Sequence, residues 1–191
     1  TLGLGSNLLA HHLKVLEEAG VIRRLASEAD RRRSYVHLVE HALDGVLPTP
    51  AHLTASRVVF VCTHNSARSQ LAGALWRTFS RVPTASGGTA PAARVHPGAV
   101  AAARRHGLSL ERQHPVHISR VLRPDDLIVS VCDSAHESLS QSGPRHLHWS
   151  VRDPVAVGTP DAFDQAFTAV ATRVGELADA VHLGEEGPDD T

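Results

Sequence analysis

The sequence predicts an α/β protein whose main domain, residues 57–184, is a four-stranded parallel doubly wound sheet. Three observations predict this class. The run from Val58 to Val61 is continuously apolar, which is typical of a strand buried on both faces of a parallel sheet. Strand-like and helix-like segments then alternate, which favours parallel strands joined by helical crossovers. Cys62 and Cys132 each follow a predicted strand, and the carboxyl ends of such strands carry ligand sites.

A helix and a β-hairpin are predicted to precede this domain, within residues 1–41. Apolar residues recur at helical spacing from Leu8 to Ala19, and Gly20 ends the pattern. The next residues suggest two short strands around a charged turn, and a proline-containing stretch with little periodicity follows. The elements expected in order are a strand from 21, a turn over 27–33, a strand over 35–39 and a linker over 42–56.

The elements of the main domain follow from apolar runs and helical periodicity. Strands are expected over 58–61, 83–87, 126–131 and 145–149, and helices over 69–80, 97–105, 133–140 and 161–183. The acidic tail over 185–191 is expected to lie outside the fold.

Composition excludes several classes of function. The formal net charge is -1, so any DNA contact must depend on a local basic patch. No apolar run approaches the roughly 20 residues that span a bilayer, so we expect a cytoplasmic protein without membrane contact. Two cysteines are too few for a disulfide scaffold and indicate reactive thiols or core residues. The 14 histidines show no zinc-type spacing, so no metal or bound cofactor is expected.

The stretch Arg57 to Ser69, RVVFVCTHNSARS, predicts a site for a tetrahedral oxyanion such as phosphate or arsenate. A loop that leads from a strand into a helix offers backbone amides and the positive end of the helix. Arg68 adds a planar group that binds two oxygens, and the same field favours a thiolate nucleophile at Cys62. Ser69 can donate to that thiolate. The predicted oxyanion-binding residues are Thr63, His64, Asn65, Ser66, Ala67 and Arg68.

The segment CTHNSARS resembles the C-x5-R-S signature of low-molecular-weight tyrosine phosphatases and of the arsenate reductases built on the same fold. The resemblance covers residues 57 to about 183 and implies that fold. It also implies a general acid in an Asp-Pro pair, which is Asp153-Pro154 here. Asp153 would protonate the departing oxygen, whether an aryl oxide or a hydroxide leaving arsenic.

Two features favour the reductases within this resemblance. The segment HLHWSVRDPVAVG is similar to their HW…DP segment, and Cys132 matches their resolving cysteine. The resemblance implies that Cys132 attacks the Cys62 adduct and releases arsenite. Leu139 stands where thioredoxin-coupled members have a third cysteine, so an external thiol is implied: thioredoxin, mycoredoxin with mycothiol, or glutathione. This thiol either opens the Cys62–Cys132 disulfide or attacks the Cys62 adduct itself, in which case Cys132 is dispensable. A tyrosine or small phosphoester phosphatase, with Cys132 a strand-end core residue, is the alternative.

The N-terminal segment SNLLAHHLKVLEEAGVIRRLASEADRRRSYVHL resembles the helix and wing of an ArsR-type winged-helix regulator, here partial. The resemblance implies DNA contacts, and it leaves a regulator that senses the oxyanion as a further alternative. Such regulators are usually dimers, so the resemblance also implies a homodimer as one of the oligomeric states to test. The predicted DNA-contacting residues are Ser6, Asn7, His11, Arg31, Arg32 and Arg33.

Overall fold

The computed structural model describes residues 6–39, 42, 53–139 and 145–183 of the 191. The chain divides into two compact units, Thr1–Pro50 and Ala51–Thr191. The predicted acidic tail over 185–191, and most of the predicted linker, lie outside the described residues.

The first unit contains the predicted helix and hairpin. Helix α1 spans Ser6–Glu18, and strands β1 (Ile22–Ala26) and β2 (Ser34–Leu38) pair antiparallel. Gly20 has a φ of +72°, a left-handed conformation that glycine adopts without steric cost, and the chain turns there into β1. Ile22 is buried in this unit, whereas Leu8, Leu9 and Leu38 are exposed.

The second unit is built on the predicted four-stranded parallel sheet, in the order β5-β4-β6-β7. All five residues of the central strand β4 are buried, as its unbroken apolar run predicts. The four strands are β4 (Val58–Cys62), β5 (Thr84–Gly88), β6 (Leu127–Ser130) and β7 (His146–His148). The helices are α2 (Arg68–Phe79), α3 (Pro97–Arg105), α4 (Asp133–Ser138), α5 (Pro154–Val157) and α6 (Pro160–Ala180).

A second, two-stranded sheet corrects two predicted boundaries. Strand β3 (Leu53–Thr54) pairs in parallel with β8 (Val181–His182). The predicted linker over 42–56 therefore ends earlier, and the helix predicted over 161–183 stops at Ala180. Val181 is buried in an extended conformation, so its side chain packs on the core while its backbone pairs with β3.

The core packs α2 and α6 together beside the sheet. Phe60 on β4 contacts Trp76 and Trp149, with ring centroids 5.8 Å apart in both pairs. The Trp76 indole donates to the Val82 carbonyl at 2.8 Å, so its buried N–H has a partner. No helix within the described residues is both long and apolar enough to cross a bilayer.

Candidate active site

Cys62 is the last residue of the central strand β4, between the ends of its two neighbours. The loop over 63–67 follows it, and α2 begins at Arg68. Gly88 on β5 lies opposite Cys62, and a Cβ atom there would stand 2.7 Å from the Thr63 carbonyl oxygen. The loop thus folds back onto the sheet edge over a position that only glycine fits.

The Cys62 sulfur has two polar partners. The Asn65 backbone N–H donates to Sγ at 3.2 Å, and the Ser69 hydroxyl lies 3.0 Å away. Hydrogen-bond donors around a sulfur stabilise its thiolate form, which is the nucleophilic form. With 2% of its surface exposed, the side chain is placed for chemistry inside the loop.

Asn65 braces the loop from a backbone φ of +48°, in the left-handed region that asparagine tolerates better than most residues. Its side-chain nitrogen donates to the hydroxyls of Ser69 (2.8 Å) and Ser86 (3.1 Å). Its Oδ1 accepts from Gln70 Nε2 at 3.1 Å and from the Val116 backbone N–H at 2.9 Å. One buried amide therefore fixes the loop to α2, to β5 and to the segment after α3.

Arg68 connects the loop to the predicted general acid. Its Nη1 donates to the Val151 carbonyl at 2.8 Å, and its Nη2 lies 3.3 Å from the Asp153 carboxylate. Asp153 is the N-cap of α5 and accepts from the Val155 backbone N–H at 3.1 Å. Ala67, the N-cap of α2, has no side chain that can accept from the backbone N–H groups of the first turn. Those N–H groups can therefore donate to an anion bound at that end of the helix.

Cys132 follows the end of β6, the neighbour of β4. Its Sγ lies 3.5 Å from the Thr63 hydroxyl and accepts from the Ala135 backbone N–H at 3.4 Å. Burial raises the pKa of this thiol, and the positive charge of Arg68 opposes that rise. Cys62 and Cys132 are both buried and both reduced.

The structure brings most predicted site residues together and sets one apart. Cys62 contacts Asn65 and Ser69, Arg68 contacts Asp153, and Cys132 contacts Thr63, which directly follows Cys62. Among the other loop residues, Ser66 and Ala67 are buried, Thr63 is half-buried, and His64 is exposed.

Sequence reasoning missed the partners through which Asn65 and Arg68 hold the loop in place. Gln70 is buried and also donates to the Asn65 carbonyl at 3.1 Å. Ser86 and the backbone of Val116 and Val151 come from distant segments. The sequence did contain a signal for Gln70. It is a polar residue directly after Arg68-Ser69, in the first turn of a predicted helix, next to the loop that it holds.

A cavity of about 410 Å³ lies beside the site, bounded by Val151, Asp153, Gln165 and neighbouring residues of α5 and α6. Its size is within the range of small-molecule sites. Among the described residues, no group of three or more histidine, cysteine or acidic side chains is arranged to hold a metal ion.

A buried thiol inside a strand–loop–helix turn, an arginine at the helix start and a carboxylate beside it define a cysteine-dependent enzyme of oxyanion chemistry. The comparisons with known proteins agree with this class. The chain belongs to the low molecular weight phosphotyrosine protein phosphatase family, whose model matches residues 57–186.

Relatives and solved structures with the same fold include reductases and a phosphatase. The arsenate reductase of Brevibacillus brevis is 31% identical over 134 residues, which are 64% of this chain and 93% of that protein. A solved arsenate reductase in the phosphate-binding state is 27% identical, with a TM-score of 0.55 over 65% of this chain and 97% of that one. The tyrosine phosphatase Wzb from Escherichia coli K30, 20% identical, shares the fold with a TM-score of 0.60 over 65% of this chain and 97% of that one.

Proposed function

We propose that this protein reduces arsenate to arsenite, with Cys62 as the nucleophile. One observation carries the proposal: a second buried thiol, Cys132, stands at the end of the strand next to Cys62. A phosphatase needs one thiol, whereas reduction of As(V) to As(III) consumes two electrons, which two thiols can supply. The arsenate reductase relatives support the same reaction.

The first step joins arsenate to Cys62. Arg68 and the first turn of α2 bind the oxyanion, and the Cys62 thiolate forms a bond to arsenic. One As–O bond breaks, and its oxygen leaves as water after taking a proton from Asp153.

The second step uses Cys132. Its sulfur bonds to Cys62 Sγ, the S–As bond breaks, and the electron pair stays on arsenic, which leaves as arsenite. The two thiols are thereby oxidised to one disulfide. Cys132 attacks as a thiolate, and the positive charge of Arg68 favours that form against the effect of burial.

A small thiol is the reductant that the burial of the two sulfurs favours. Cys62 is 2% exposed and Cys132 3%, and the 191 residues contain no further cysteine that could carry the disulfide to the surface. One small thiol attacks the disulfide and forms a mixed disulfide with one of the two cysteines. A second small thiol then attacks this mixed disulfide, which restores both cysteine thiols and releases a small-molecule disulfide. The cavity beside Asp153 has room for such a molecule.

The test is mass spectrometry of arsenate-treated protein after alkylation of remaining thiols. We expect the wild type to lose both alkylation sites and gain a Cys62–Cys132 disulfide, and Cys62→Ser to remain fully reduced. Cys132→Ser should accumulate a Cys62 adduct that an added small thiol resolves. Wild-type protein that keeps both thiols while arsenate persists would refute the reaction.

The reductant is tested on the isolated disulfide form. Equal thiol concentrations of glutathione and of a thioredoxin are compared for the rate of reopening the disulfide. We expect the small thiol to be faster, because it can reach a buried sulfur. A faster reaction with thioredoxin would assign the role to a protein partner, and the arsenate step would be unaffected by that result.

Phosphoester hydrolysis is a second candidate, because Cys62, Arg68 and Asp153 are the only groups it requires. Hydrolysis of an aryl phosphate that is lost in Cys62→Ser and retained in Cys132→Ser would establish it. Robust hydrolysis together with no arsenate-dependent thiol oxidation would replace the reductase by the phosphatase.

A DNA-binding regulator of ArsR type is the candidate from another class. The observation that favours it is the first unit itself, a helix followed by a hairpin whose turn carries three exposed arginines, Arg31, Arg32 and Arg33. Asn7 and His11 on α1 are exposed as well, and the side chain of Ser6 lies outside the described residues. Arg32 and Arg33 contact Asp30 at 3.0 and 3.6 Å, which offsets part of their charge.

Salt-dependent binding to DNA from upstream of the protein's own coding region tests this role, with sedimentation of the free protein to test for a homodimer. Each arginine that contacts a phosphate should contribute about -0.9 to the slope of log K against log salt. Arg31→Ala should therefore flatten that slope. Binding that is independent of Arg31 and Arg33 would exclude the hairpin as the contact.

A further inference from the structure

Three histidines surround one buried serine hydroxyl next to Cys132, and the reaction above does not use them. Ser130 Oγ lies 3.0 Å from His146 Nε2 and 3.1 Å from His148 Nδ1. His136 Nδ1 is 3.4 Å from the same oxygen, and its ring stacks on His148 with centroids 4.1 Å apart. On its other side, His148 Nε2 lies 3.1 Å from the Asp133 carboxylate.

The hydrogen-bond pattern assigns the protons of this cluster. The Asp133 carboxylate only accepts, so His148 carries its hydrogen on Nε2. Burial lowers the pKa of His148 to about 4, so the ring is neutral at pH 7 and its Nδ1 can accept from the Ser130 hydroxyl, which also has the Leu147 carbonyl as an acceptor at 3.3 Å. Ser130 Oγ then accepts from His146 Nε2–H and His136 Nδ1–H. Ser130 Oγ and both ring nitrogens of His148 thus have partners, and satisfied buried polar groups make such a network rigid.

The network holds the part of the chain that carries Cys132. Asp133 is the first residue of α4 and follows Cys132 directly, and His136 lies one turn further along the same helix. Ser130 and His148 belong to β6 and β7, so the cluster connects the first turn of α4 to the sheet edge. Cys132 is the N-cap of that turn: its sulfur accepts from Ala135 N–H and its carbonyl from His136 N–H at 3.1 Å.

We propose that Asp133 and His148, through Ser130 and His136, are positioning residues that clamp α4 to β6 and β7 and so hold the Cys132 sulfur beside the Cys62 loop. Neither residue touches the arsenic. The clamp keeps Cys132 beside Thr63 until it attacks, and it restrains the sulfur from turning to solvent. The inference deepens the proposed function, because Cys132 is the resolving thiol there, but the position of the sulfur can be measured without arsenate.

The experiment measures alkylation of Cys132 by iodoacetamide in a Cys62→Ser background, where it is the one cysteine left. Three variants separate the two bonds of His148. His148→Leu removes both, His148→Asn keeps an acceptor near the Nδ1 position for Ser130, and His148→Gln keeps a donor near the Nε2 position for Asp133. We expect alkylation in His148→Leu to be roughly ten- to hundredfold faster, the factor that loss of a hydrogen bond to a charged group produces. His148→Gln should return most of the parent rate.

A matched series in the Cys132→Ser background reports on Cys62, whose sulfur contacts Asn65 and Ser69 rather than the histidine cluster. A positioning role predicts that His148→Leu changes the Cys132 rate and leaves the Cys62 rate within about twofold, since the lost bonds go to Asp133 and Ser130 and not to the residues that contact the Cys62 sulfur. Equal acceleration at both cysteines would show general loosening of the fold and overturn the proposal. So would an unchanged Cys132 rate in His148→Leu, or a failure of His148→Gln to restore protection in a variant whose urea unfolding matches the parent. None of these outcomes depends on arsenate turnover.

Discussion

Replacing Asn65 with alanine is the sharpest test of how the oxyanion loop is held. The side chain makes four hydrogen bonds: two as donor to Ser69 and Ser86, and two as acceptor from Gln70 and Val116. Each is worth about 1 kcal/mol, and partners left buried without a bond add to the loss. Alanine at a φ of +48° adds about 1 kcal/mol of backbone strain. The free energy of unfolding should therefore fall by about 5 kcal/mol in total.

Two further variants separate the cost of the lost hydrogen bonds from the cost of the backbone strain. Asn65→Gly loses the same four bonds without the strain, so it should be about 1 kcal/mol more stable than Asn65→Ala. Ser86→Ala removes one of the bonds and should cost about 1 kcal/mol. Urea unfolding measures all three, and a constant m-value shows that the same transition is compared.

A small effect would contradict this account of the loop. If Asn65→Ala costs less than about 1.5 kcal/mol, water replaces the amide and the network does not fix the loop. If Asn65→Gly is as unstable as Asn65→Ala, the left-handed backbone carries no strain. In a Cys132→Ser background, the rate of Cys62 alkylation gives a local readout, because Asn65 N–H and the Ser69 hydroxyl both lie beside that sulfur.

Three further predictions concern other parts of the second unit. Gly88→Ala should destabilise the protein and slow the Cys62 reaction, because the added Cβ would lie 2.7 Å from the Thr63 carbonyl oxygen. The control is Gly73→Ala within α2, whose Cβ would have contacts no closer than 3.8 Å and which should raise the free energy of unfolding in urea by about 0.5–1 kcal/mol. Asp126→Asn should lower the free energy of unfolding by about 3 kcal/mol in the same assay, because the Arg57 charge loses its paired carboxylate. The rate of Cys62 alkylation should not change, because this pair lies at the opposite ends of the strands from Cys62. The pKa of His148 is about 4 in the folded protein and 6.5 unfolded, so its contribution to stability should be constant above about pH 6.5 and fall by about 3 kcal/mol as the pH drops to 4. His148→Gln should remove this part of the pH dependence in thermal melts, and an unchanged pH dependence would refute the assignment.

The sequence predicted the parts of the site that depend on local order. The apolar run of β4, the C-x5-R spacing and the Asp-Pro pair each lie within a few residues, and a strand followed by a helix places them at one sheet edge. The four main strands and their parallel pairing follow from the alternation of strands and helices. These features are properties of neighbouring residues, which a pattern can report.

The parts that the sequence could not predict join distant segments. Asn65 is 51 residues from Val116 and 21 from Ser86, and no local periodicity records such bonds. The pair β3–β8 consists of two residues on each strand, too short for a pattern. The four residues of α5 are held by the Asp153 cap and by Gly158 at a φ of +76°, in a segment where only the Asp-Pro pair stood out.

The position of Cys132 beside the loop that follows Cys62 depends on strand register. Val61 lies opposite Ser130, and continuing that register places Thr63 beside Cys132, in agreement with the 3.5 Å between their Oγ1 and Sγ atoms. Successive side chains of a strand point to opposite faces, so a shift of one residue in β6 would turn the Cys132 sulfur away from the loop. Both phosphatase and reductase need the β4 loop, and only the reductase needs this register. In the reaction proposed above, the step from oxyanion binding to two-electron chemistry therefore depends on how β6 pairs with β4, and we infer that the cluster of Ser130, His136, His146 and His148 maintains that arrangement.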